Sequence, residues 1–340
     1  MRPELRNVTV IIPAHNRPER LRRLLGYYEG SGVRMLVPDS SQKAYDGDLT
    51  SPDVTYIHRP GLHFLLKIKE VLPLIATDYV LYCADDDFIV PEAIARMVEF
   101  LDANPDYSVA QGHYLTFTPT GEVVEFYPRY IRYFDSRIDA DDPAGRLVQD
   151  KCKYASLLYG VTRSDLFRRI YGYCFDGRGG LRFRNLFLAE EFFNHAMLIQ
   201  GKYATIPCFY SARERIKGSA TETVVPISEI RSSEEYRWEY DGYIEALSMM
   251  LSEASGVEMH EAERLMRKVC AAPKDSAKVS LKRRVVMFLM RHRSLRWASD
   301  IADRRYNRKG LRAVRGMESY PCEFSTPEKE TIIRFIKEYS

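Results

Sequence analysis

The chain has 340 residues, of which 45% are hydrophobic and 29% charged, and its net charge is only +3. This composition is typical of a globular protein and excludes a polycation. Six scattered cysteines form no CxxC pair, which argues against a zinc ribbon or a disulfide framework and favours a reducing compartment. The N-terminus lacks the apolar core of a signal peptide, and no apolar run approaches the roughly 18 residues of a membrane span. We therefore expect a cytoplasmic protein.

Strand and helix patterns alternate over the first hundred residues. Val8–Pro13 is a β-branched run without regular polar alternation, which is typical of a strand buried on both faces. Further strands are predicted at 34–37, at 54–57 and leading from Val80 to the acidic run at 85–87, and helices are predicted to begin near Pro18, near His63 and at Pro91. This alternation predicts an α/β sheet with crossover helices.

The second half of the chain changes in character twice. Residues 109–133 are aromatic and β-like, with a hairpin turn predicted at 119–121, and helix 186–200 and strand 203–210 follow. Residues 211–226 are polar and are predicted to be flexible. Beyond about residue 227 only helical patterns remain. Between Arg267 and Arg315 the sequence contains sixteen Lys or Arg residues but three Asp. We predict a sheet domain at 1–228 and a basic helical C-terminal subdomain at 229–340.

Polar clusters follow each of the first four predicted strands. They lie at 14–17, 39–41, 58–61 and 85–87. In α/β sheets ligands bind beyond the carboxyl ends of the strands, so clusters that are distant in sequence can converge on one crevice.

Asp85, Asp86 and Asp87 form the most informative of these clusters. Three adjacent carboxylates after an apolar run are costly, because like charges and burial both raise the pKa of a carboxyl group. A divalent cation offsets that cost, and Mg²⁺ typically binds one or two carboxylates together with substrate phosphates. The alternative is a strand that ends in a solvated acidic turn.

Several motifs together resemble a known family. Val8–Leu21 (VTVIIPAHNRPERL), Val37–Ser41 (VPDSS) and Asp85–Glu92 (DDDFIVPE) are similar to glycosyltransferases of the GT-A fold, most of all to the bacterial family 2 group. Tyr159–Leu188, followed by Glu190-Glu191, is similar to the acceptor half of that family. The resemblance covers about residues 7 to 215. It implies a GT-A type nucleotide-sugar-binding mixed sheet flanked by helices.

The resemblance also implies an activity and a cofactor. The expected reaction is metal-dependent and inverting, and it belongs to polysaccharide biosynthesis. It moves a sugar from a nucleotide diphospho-sugar to a hydroxyl of a glycan or lipid-linked glycan. A UDP-sugar is the favoured donor. A cation, Mn²⁺ or Mg²⁺, would stabilise the charge that develops on the departing diphosphate. The family's DxD motif maps to Asp85 and Asp87, with Asp87 as the direct metal ligand. Ala84 stands where the family usually has its first aspartate, so either Asp85 or Asp86 takes that role.

Further residues are expected at the nucleotide by the same resemblance. Asp39 resembles the carboxylate that binds the base of a uridine nucleotide, although an ordinary turn aspartate is the alternative. Arg213 is expected to supply positive charge to the departing phosphates. The residues expected to border the nucleotide are Pro13, His15, Asn16 and Arg17. Two of these residues have alternatives to a contact with the nucleotide. Asn16 could be a helix N-cap, and Arg17 could be an exposed surface residue.

Glu190 and Glu191 are the candidates for the general base. An inverting transferase needs a carboxylate that accepts the proton of the acceptor hydroxyl. In the family the second acidic residue usually serves, so Glu191 is preferred, although the family usually has Asp there. The alternative is a pair of glutamates that stabilise the start of a helix.

Other functions compete with this one. A nucleotidyltransferase also uses carboxylates and a metal, but a glycine-rich loop is absent after the first strand. A dinucleotide-dependent oxidoreductase would need G-x-G-x-x-G there. A catalytically inactive GT-A-like binding module is also possible because of Ala84. The basic helices are expected either to pack on the sheet domain or to make peripheral contact with the inner face of the cell membrane. Nucleic acid is not expected, since aromatic residues are not interleaved with the basic ones.

Overall fold

The structure of the chain is a computed structural model. The structure describes residues 3–120, 123–131, 135–150, 156–215, 225, 227–271, 305 and 307–339.

Ten strands are found within these ranges, and more residues are helical than are in strands. The strands are β1 (Val8–Ile11), β2 (Arg34–Asp39), β3 (Val54–His58), β4 (Tyr79–Tyr82), β5 (Phe88–Ile89), β6 (Tyr107–Thr120), β7 (Val123–Arg129), β8 (Arg137–Ile138), β9 (Val161–Arg163) and β10 (Lys202–Glu214). The helices are α1 (Pro18–Tyr28), α2 (Phe64–Val71), α3 (Pro91–Ala103), α4 (Pro143–Asp150), α5 (Ser164–Gly172), α6 (Leu186–Gln200), α7 (Ile227–Ser232), α8 (Arg237–Ser255), α9 (Met259–Ala271) and α10 (Pro327–Glu338). Residues 307–313 are also helical.

The strands form one mixed sheet. Its order is β3-β2-β1-β4-β9-β6-β10-β5, with β7 paired to β6 and β8 paired to β10. The first four strands are parallel to one another, and β9 then joins β4 to β6 in antiparallel pairing. The chain runs outward from β1 through β2 to β3 and then returns to place β4 on the other side of β1. The strand order therefore reverses between β1 and β4.

Helices cover both faces of the sheet. Val8 and Val10 of β1 belong to a core that also includes residues of α1, α3 and α10. Ile11 belongs to the opposite core, which includes residues of α2, α5, α6, α8 and α9. This alternation explains the uninterrupted apolar run at the start of the chain, because both faces of β1 are buried.

The fold class expected from the sequence is confirmed, as a mixed α/β sheet flanked by helices with a helical C-terminal part. The strand and helix order of the first hundred residues is confirmed, and helix 186–200 is found with the expected bounds. The prediction of a flexible loop from residue 211 was wrong for 211–214. These residues extend β10, since Ser211 and Ala212 pair with Ile89 and Phe88 of β5.

The C-terminal helices contribute to both cores. Ile332 and Ile336 of α10 pack in the core that contains α1, and Tyr243 and Leu247 of α8 pack in the core that contains α6. The division at residue 228 stays a prediction. Most of the basic segment, including its apolar stripe at Leu281, Val285, Phe288 and Leu289, lies outside the described residues. None of the described helices has the length and apolar character that crossing a membrane requires.

Candidate functional site

A cavity of about 330 Å³ lies at the point where the strand order reverses. Such a switch point is where ligands bind in open α/β sheets, and the volume is within the usual range of small-molecule sites. The cavity is lined by residues that follow β1, β2 and β4, together with residues from α2, the turn at 157–159 and the start of α6: Pro13, His15, Arg17, Ser40, Leu62, Phe64, Lys67, Tyr82, Ala84, Asp85, Leu158, Tyr159 and Leu186. The convergence expected for the polar clusters is thus observed for those after β1, β2 and β4.

A second cavity, of about 470 Å³, lies between the turn at 176–182 and helices α8 and α9. None of the residues predicted for the site lines it. The chemistry expected from the sequence therefore belongs to the smaller cavity.

The loop after β1 is hydrogen-bonded to the residues that follow β2. The backbone N–H of Asn16 donates to Ser41 Oγ (2.7 Å), and Asn16 Oδ1 accepts from the backbone N–H of Gln42 (3.0 Å). His15 Nδ1 lies 3.0 Å from Ser40 Oγ. Asn16 has a φ of 53°, a left-handed conformation that asparagine tolerates better than most residues. The alternative of Asn16 as an N-cap was wrong, because the N-cap residue of α1 is Arg17 and its side chain makes no capping bond.

Asp39 is buried beneath the same loop. Its carboxylate accepts from the backbone N–H of Ser41 (2.8 Å), from Ser41 Oγ (2.5 Å) and from the hydroxyl of Tyr56 (2.7 Å). Burial raises the pKa of Tyr56 to about 12, and the bond to Asp39 adds to the shift. Asp39 itself does not line the cavity. It orders the turn that carries Ser40, which does.

The three aspartates point in two directions. Asp85 accepts from the backbone N–H of His15 (3.2 Å), and Arg17 Nη1 lies between Asp85 Oδ1 (3.1 Å) and Asp86 Oδ2 (2.7 Å). Arg17 is thus not a free surface cation but the counter-charge of Asp85, which lines the cavity, and of Asp86 beside it.

Asp87 does not line the cavity and is bonded to β10. Its two oxygens accept from Arg213 Nε (2.9 Å) and from the backbone N–H of Glu214 (3.0 Å). The guanidinium of Arg213 lies over the ring of Tyr159, 4.4 Å from the centroid, and Tyr159 lines the cavity. Arg213, predicted to meet the phosphates, therefore lies behind the ring of Tyr159 rather than in the cavity wall.

Burial opposes the ionisation of two of these carboxyl groups. Desolvation raises the pKa of Asp85 to about 6, with a further contribution from Asp86, although Arg17 lowers it. Desolvation raises the pKa of Asp87 to about 7 against the opposing effect of Arg213. A cation at Asp85 would relieve this penalty, because it favours the charged form of the carboxyl group.

The carboxylates fit a divalent cation only in part. Among the described residues, no three Asp, Glu, His or Cys side chains are grouped as metal ligands. Asp85 and Asp86 nevertheless share one cationic atom, Arg17 Nη1, so the two carboxylates lie close enough to be neutralised by one positive charge. This pair fits a metal whose other ligands are phosphates and water. Asp87, predicted as the first metal ligand, does not line the cavity and accepts one bond at each oxygen from β10, so its role as a ligand stays a prediction.

Lys67 and Tyr159 line the cavity but were not singled out from the sequence. Lys67 Nζ donates to the backbone oxygen of Ala14 (2.6 Å) and to Ser40 Oγ (3.1 Å), and desolvation lowers its pKa to about 8. A signal for Lys67 was present, since it follows Phe64 by three residues and precedes Val71 by four. A lysine in the apolar stripe of a helix is a buried cation.

The two glutamates of α6 occupy different faces of the helix. Glu190 follows the cavity residue Leu186 by four positions and so shares its face. Glu190 accepts from Ser156 Oγ (2.6 Å), and its charge helps to raise the pKa of Tyr159, after desolvation and against Arg213. Glu191 is buried, and its charge acts instead on Tyr243 in the core below α6. Neither glutamate lines the cavity.

Comparisons with known proteins add a likeness of fold. No family model matches the sequence, and no curated protein matches it. Among solved structures, S. aureus TarS 1–349 is similar over 83% of this chain and 78% of that chain, at 12% identity and a TM-score of 0.49, and its complex with UDP gives the same values. The complex of TarS with UDP-GlcNAc is similar over 80% and 91% of the two chains, at 12% identity and a TM-score of 0.46. A likeness of this degree assigns no ligand and no reaction to this chain.

Proposed function

We propose that the protein is a glycosyltransferase that moves a sugar from a nucleotide diphospho-sugar to a hydroxyl acceptor. The observation that carries this proposal is the cavity at the β1/β4 switch point, where Arg17, Lys67 and Asp85 meet. The cations suit a diphosphate, and the carboxylate suits a metal or a sugar hydroxyl. The sequence resemblance supports the same reaction.

A UDP-sugar is the favoured donor in this proposal. Asp39 is hydrogen-bonded to Ser41 and Tyr56, and this unit lies next to the loops that border the cavity. Asp39 would present its remaining acceptor capacity to the base once the loop residues His15 and Asn16 adjust. This assignment is supported by the resemblance and by the contact of the two loops.

A divalent cation, Mn²⁺ or Mg²⁺, belongs to the proposal, held by Asp85 and Asp86. When bound, it would neutralise the charge of the departing diphosphate. The protein's own contribution is to hold these carboxylates beside the cavity at the end of β4. Arg17, which lines the cavity, would supply positive charge to phosphate oxygens if a cation took its place beside these carboxylates. Asp87, which the resemblance gives as the direct metal ligand, stays a prediction.

The proposed general base is Glu190 rather than Glu191. The acceptor oxygen forms a bond to the anomeric carbon as the bond from that carbon to the diphosphate breaks, and the hydroxyl proton passes to the carboxylate. Attack opposite the leaving group inverts the anomeric centre. Glu190 is supported by its place on the helix face of Leu186, whereas Glu191 is directed to the core.

The two glutamates are separated by isosteric substitution. We expect Glu190→Gln to reduce transfer by about 100-fold or more, within the usual contribution of a general base, while donor binding is unchanged. Glu191→Gln is the matched control and should lose less activity than Glu190→Gln at equal thermal stability. The measurement is the turnover number together with the donor dissociation constant. The reverse order of losses would return the role to Glu191.

The function itself is tested by donor turnover. Purified protein is incubated with a panel of UDP-, GDP-, dTDP- and ADP-sugars, with Mn²⁺ or with EDTA, and release of the nucleoside diphosphate is measured. We expect turnover of one UDP-sugar that EDTA abolishes. Binding without turnover of any donor would favour an inactive module, and release of pyrophosphate from a nucleoside triphosphate and a sugar phosphate would favour a nucleotidyltransferase.

The acceptor is proposed to be a glycan or a lipid-linked glycan. Its support is the sequence resemblance together with the basic character of residues 267–315. Peripheral contact of that segment with the inner face of the cell membrane is part of the proposal. Vesicles with and without anionic lipid would test it by sedimentation.

A further inference from the structure

Lys67 is a buried ammonium in the wall of the cavity. Only 4% of the residue is exposed, and its two protein partners, Ala14 O and Ser40 Oγ, are both uncharged. No described carboxylate forms an ion pair with it, although the charges of Asp85 and Asp39 reach it from a greater distance. A buried charge that is not paired is costly, and an anionic ligand beside it would offset that cost.

The hydrogen bonds of Lys67 leave capacity for a ligand. An ammonium group has three donors, and the two bonds to Ala14 and Ser40 use two of them. Arg17, the other strong cation of the wall, is occupied by Asp85 and Asp86. Of the described residues in the cavity wall, Lys67 is therefore the strong cation without a carboxylate partner.

The position of Lys67 fits the middle of an elongated ligand. It comes from α2 and touches the loop after β1 through Ala14 and the end of β2 through Ser40. Asp39 ends β2 and Asp85 follows β4, and these two strands lie on either side of β1. A nucleoside diphosphate bound across the switch point would bring its phosphates between these two ends.

We propose that Lys67 donates directly to the diphosphate of the bound nucleotide, so that binding of this group does not depend on a divalent cation alone. This inference rests on the proposed function, since it takes the ligand to be a nucleoside diphosphate. Lysine binds phosphate as a compact point charge, which suits a site where two protein bonds already hold the ammonium in place.

A purely structural role is the competing explanation. Lys67 could serve only to join the loops that follow β1 and β2, and its loss would then weaken every ligand of the cavity. The two roles differ in what they predict for the phosphates. A ligand contact affects the diphosphate selectively, whereas a loop contact affects the nucleoside as well.

The test measures the dissociation constants of UDP and uridine by calorimetry, in EDTA and in Mn²⁺. The variants are Lys67→Met and Lys67→Arg, with Lys69→Met as the matched control, because Lys69 is exposed on the same helix. We expect Lys67→Met to raise the dissociation constant of UDP about tenfold or more in EDTA, which is the usual contribution of a hydrogen bond to a charged group. The dissociation constant of uridine should not change. Lys67→Arg keeps the charge and should bind UDP more tightly than Lys67→Met in EDTA.

Each result decides between the alternatives. Equal loss of UDP and uridine in Lys67→Met, or no loss of either in a variant that melts like the wild type, would overturn the assignment of Lys67. Failure of the wild-type protein to bind UDP, GDP, dTDP or ADP under either condition would instead overturn the proposed function. If Lys69→Met lost as much UDP affinity as Lys67→Met, that result would also count against a specific contact of Lys67.

Discussion

Asp85 couples the stability of the protein to pH. Its pKa is about 6 in the folded protein, raised by burial, and about 3.9 in an unfolded chain. Between these values the folded state binds more protons than the unfolded state. The contribution of Asp85 therefore becomes less favourable as the pH rises from about 4 to about 6, and is constant above that.

We expect Asp85→Asn to remove this part of the pH dependence. Urea unfolding of the metal-free protein at several pH values between 4.5 and 7 measures it, with the exposed Asp135→Asn as the control. The variant should gain stability relative to the wild type as the pH rises. Parallel profiles for the wild type and Asp85→Asn would show that ionisation of Asp85 carries no such penalty.

Arg17 should compete with a metal ion for the same two carboxylates. Its Nη1 lies 3.1 Å from Asp85 and 2.7 Å from Asp86, so a cation that binds both must displace it. We expect Arg17→Met to bind Mn²⁺ about fivefold more tightly without nucleotide, which corresponds to about 1 kcal/mol for a partly exposed ion pair. Titration of Mn²⁺ followed by electron paramagnetic resonance measures this, with Arg34→Met at the far end of β2 as the control. Weaker Mn²⁺ binding in Arg17→Met would contradict the competition.

At the scale of elements, β10 and α1 are joined by a buried ionic cluster. Glu214 accepts from Arg20 Nη2 (2.8 Å) and Arg23 Nη2 (2.7 Å), while its backbone N–H donates to Asp87. Burial would raise the pKa of Glu214, but the two arginines outweigh it and hold that pKa below its usual value. The end of β10 is thus fixed by charge as well as by strand pairing.

Removing the shared carboxylate should destabilise this junction strongly. We expect Glu214→Ala to lower the free energy of unfolding by about 3–5 kcal/mol, because Arg23 is left buried without its partner. The exposed Glu29→Ala, at the end of α1, should change it by less than about 0.5 kcal/mol. Chemical denaturation compares the two variants. A similar effect of both would show that the cluster adds little to stability.

The sequence predicts elements better than the directions of their side chains. The apolar run at Val8 and the helix at Leu186 are local patterns, and both were found where expected. Asp87 turns towards Arg213, 126 residues further along the chain, and Lys67 towards Ala14, 53 residues before it. Such partners depend on sheet order, which no local spacing encodes. The extension of β10 beyond Tyr210 depends likewise on pairing with β5 and β6.

At the scale of the whole molecule, the C-terminal helices support the site. Glu239 of α8 accepts from the backbone N–H groups of Arg184 and Asn185 (2.5 Å each), directly before the start of α6. Tyr243 of α8 lies 2.8 Å from His195 of α6. Phe335 of α10 packs against Tyr27 of α1 at a centroid distance of 5.7 Å. Both faces of the sheet therefore depend on helices beyond residue 228.

We expect a chain cut after residue 228 to be much less stable than the whole chain. It would expose the apolar surfaces of α1 and α6 and leave the start of α6 without Glu239. Urea unfolding and binding of a hydrophobic dye measure the effect, with Lys337→Ala, an exposed substitution in α10, as the control. A fragment 1–228 that unfolds at the same urea concentration as the whole chain would show that the sheet domain is independent.

The scattered origin of the cavity wall has a consequence for synthesis. The wall begins at Pro13 and is completed only by Leu186, more than half of the chain later. A ribosome that adds about 5–20 residues per second needs tens of seconds or less to make that length. During that time the emerging strands β1 to β4 can pair, but they form no closed site. The part of the wall that is proposed to hold the diphosphate, from Arg17 to Asp85, is therefore made about a hundred residues before the part that α6 supplies.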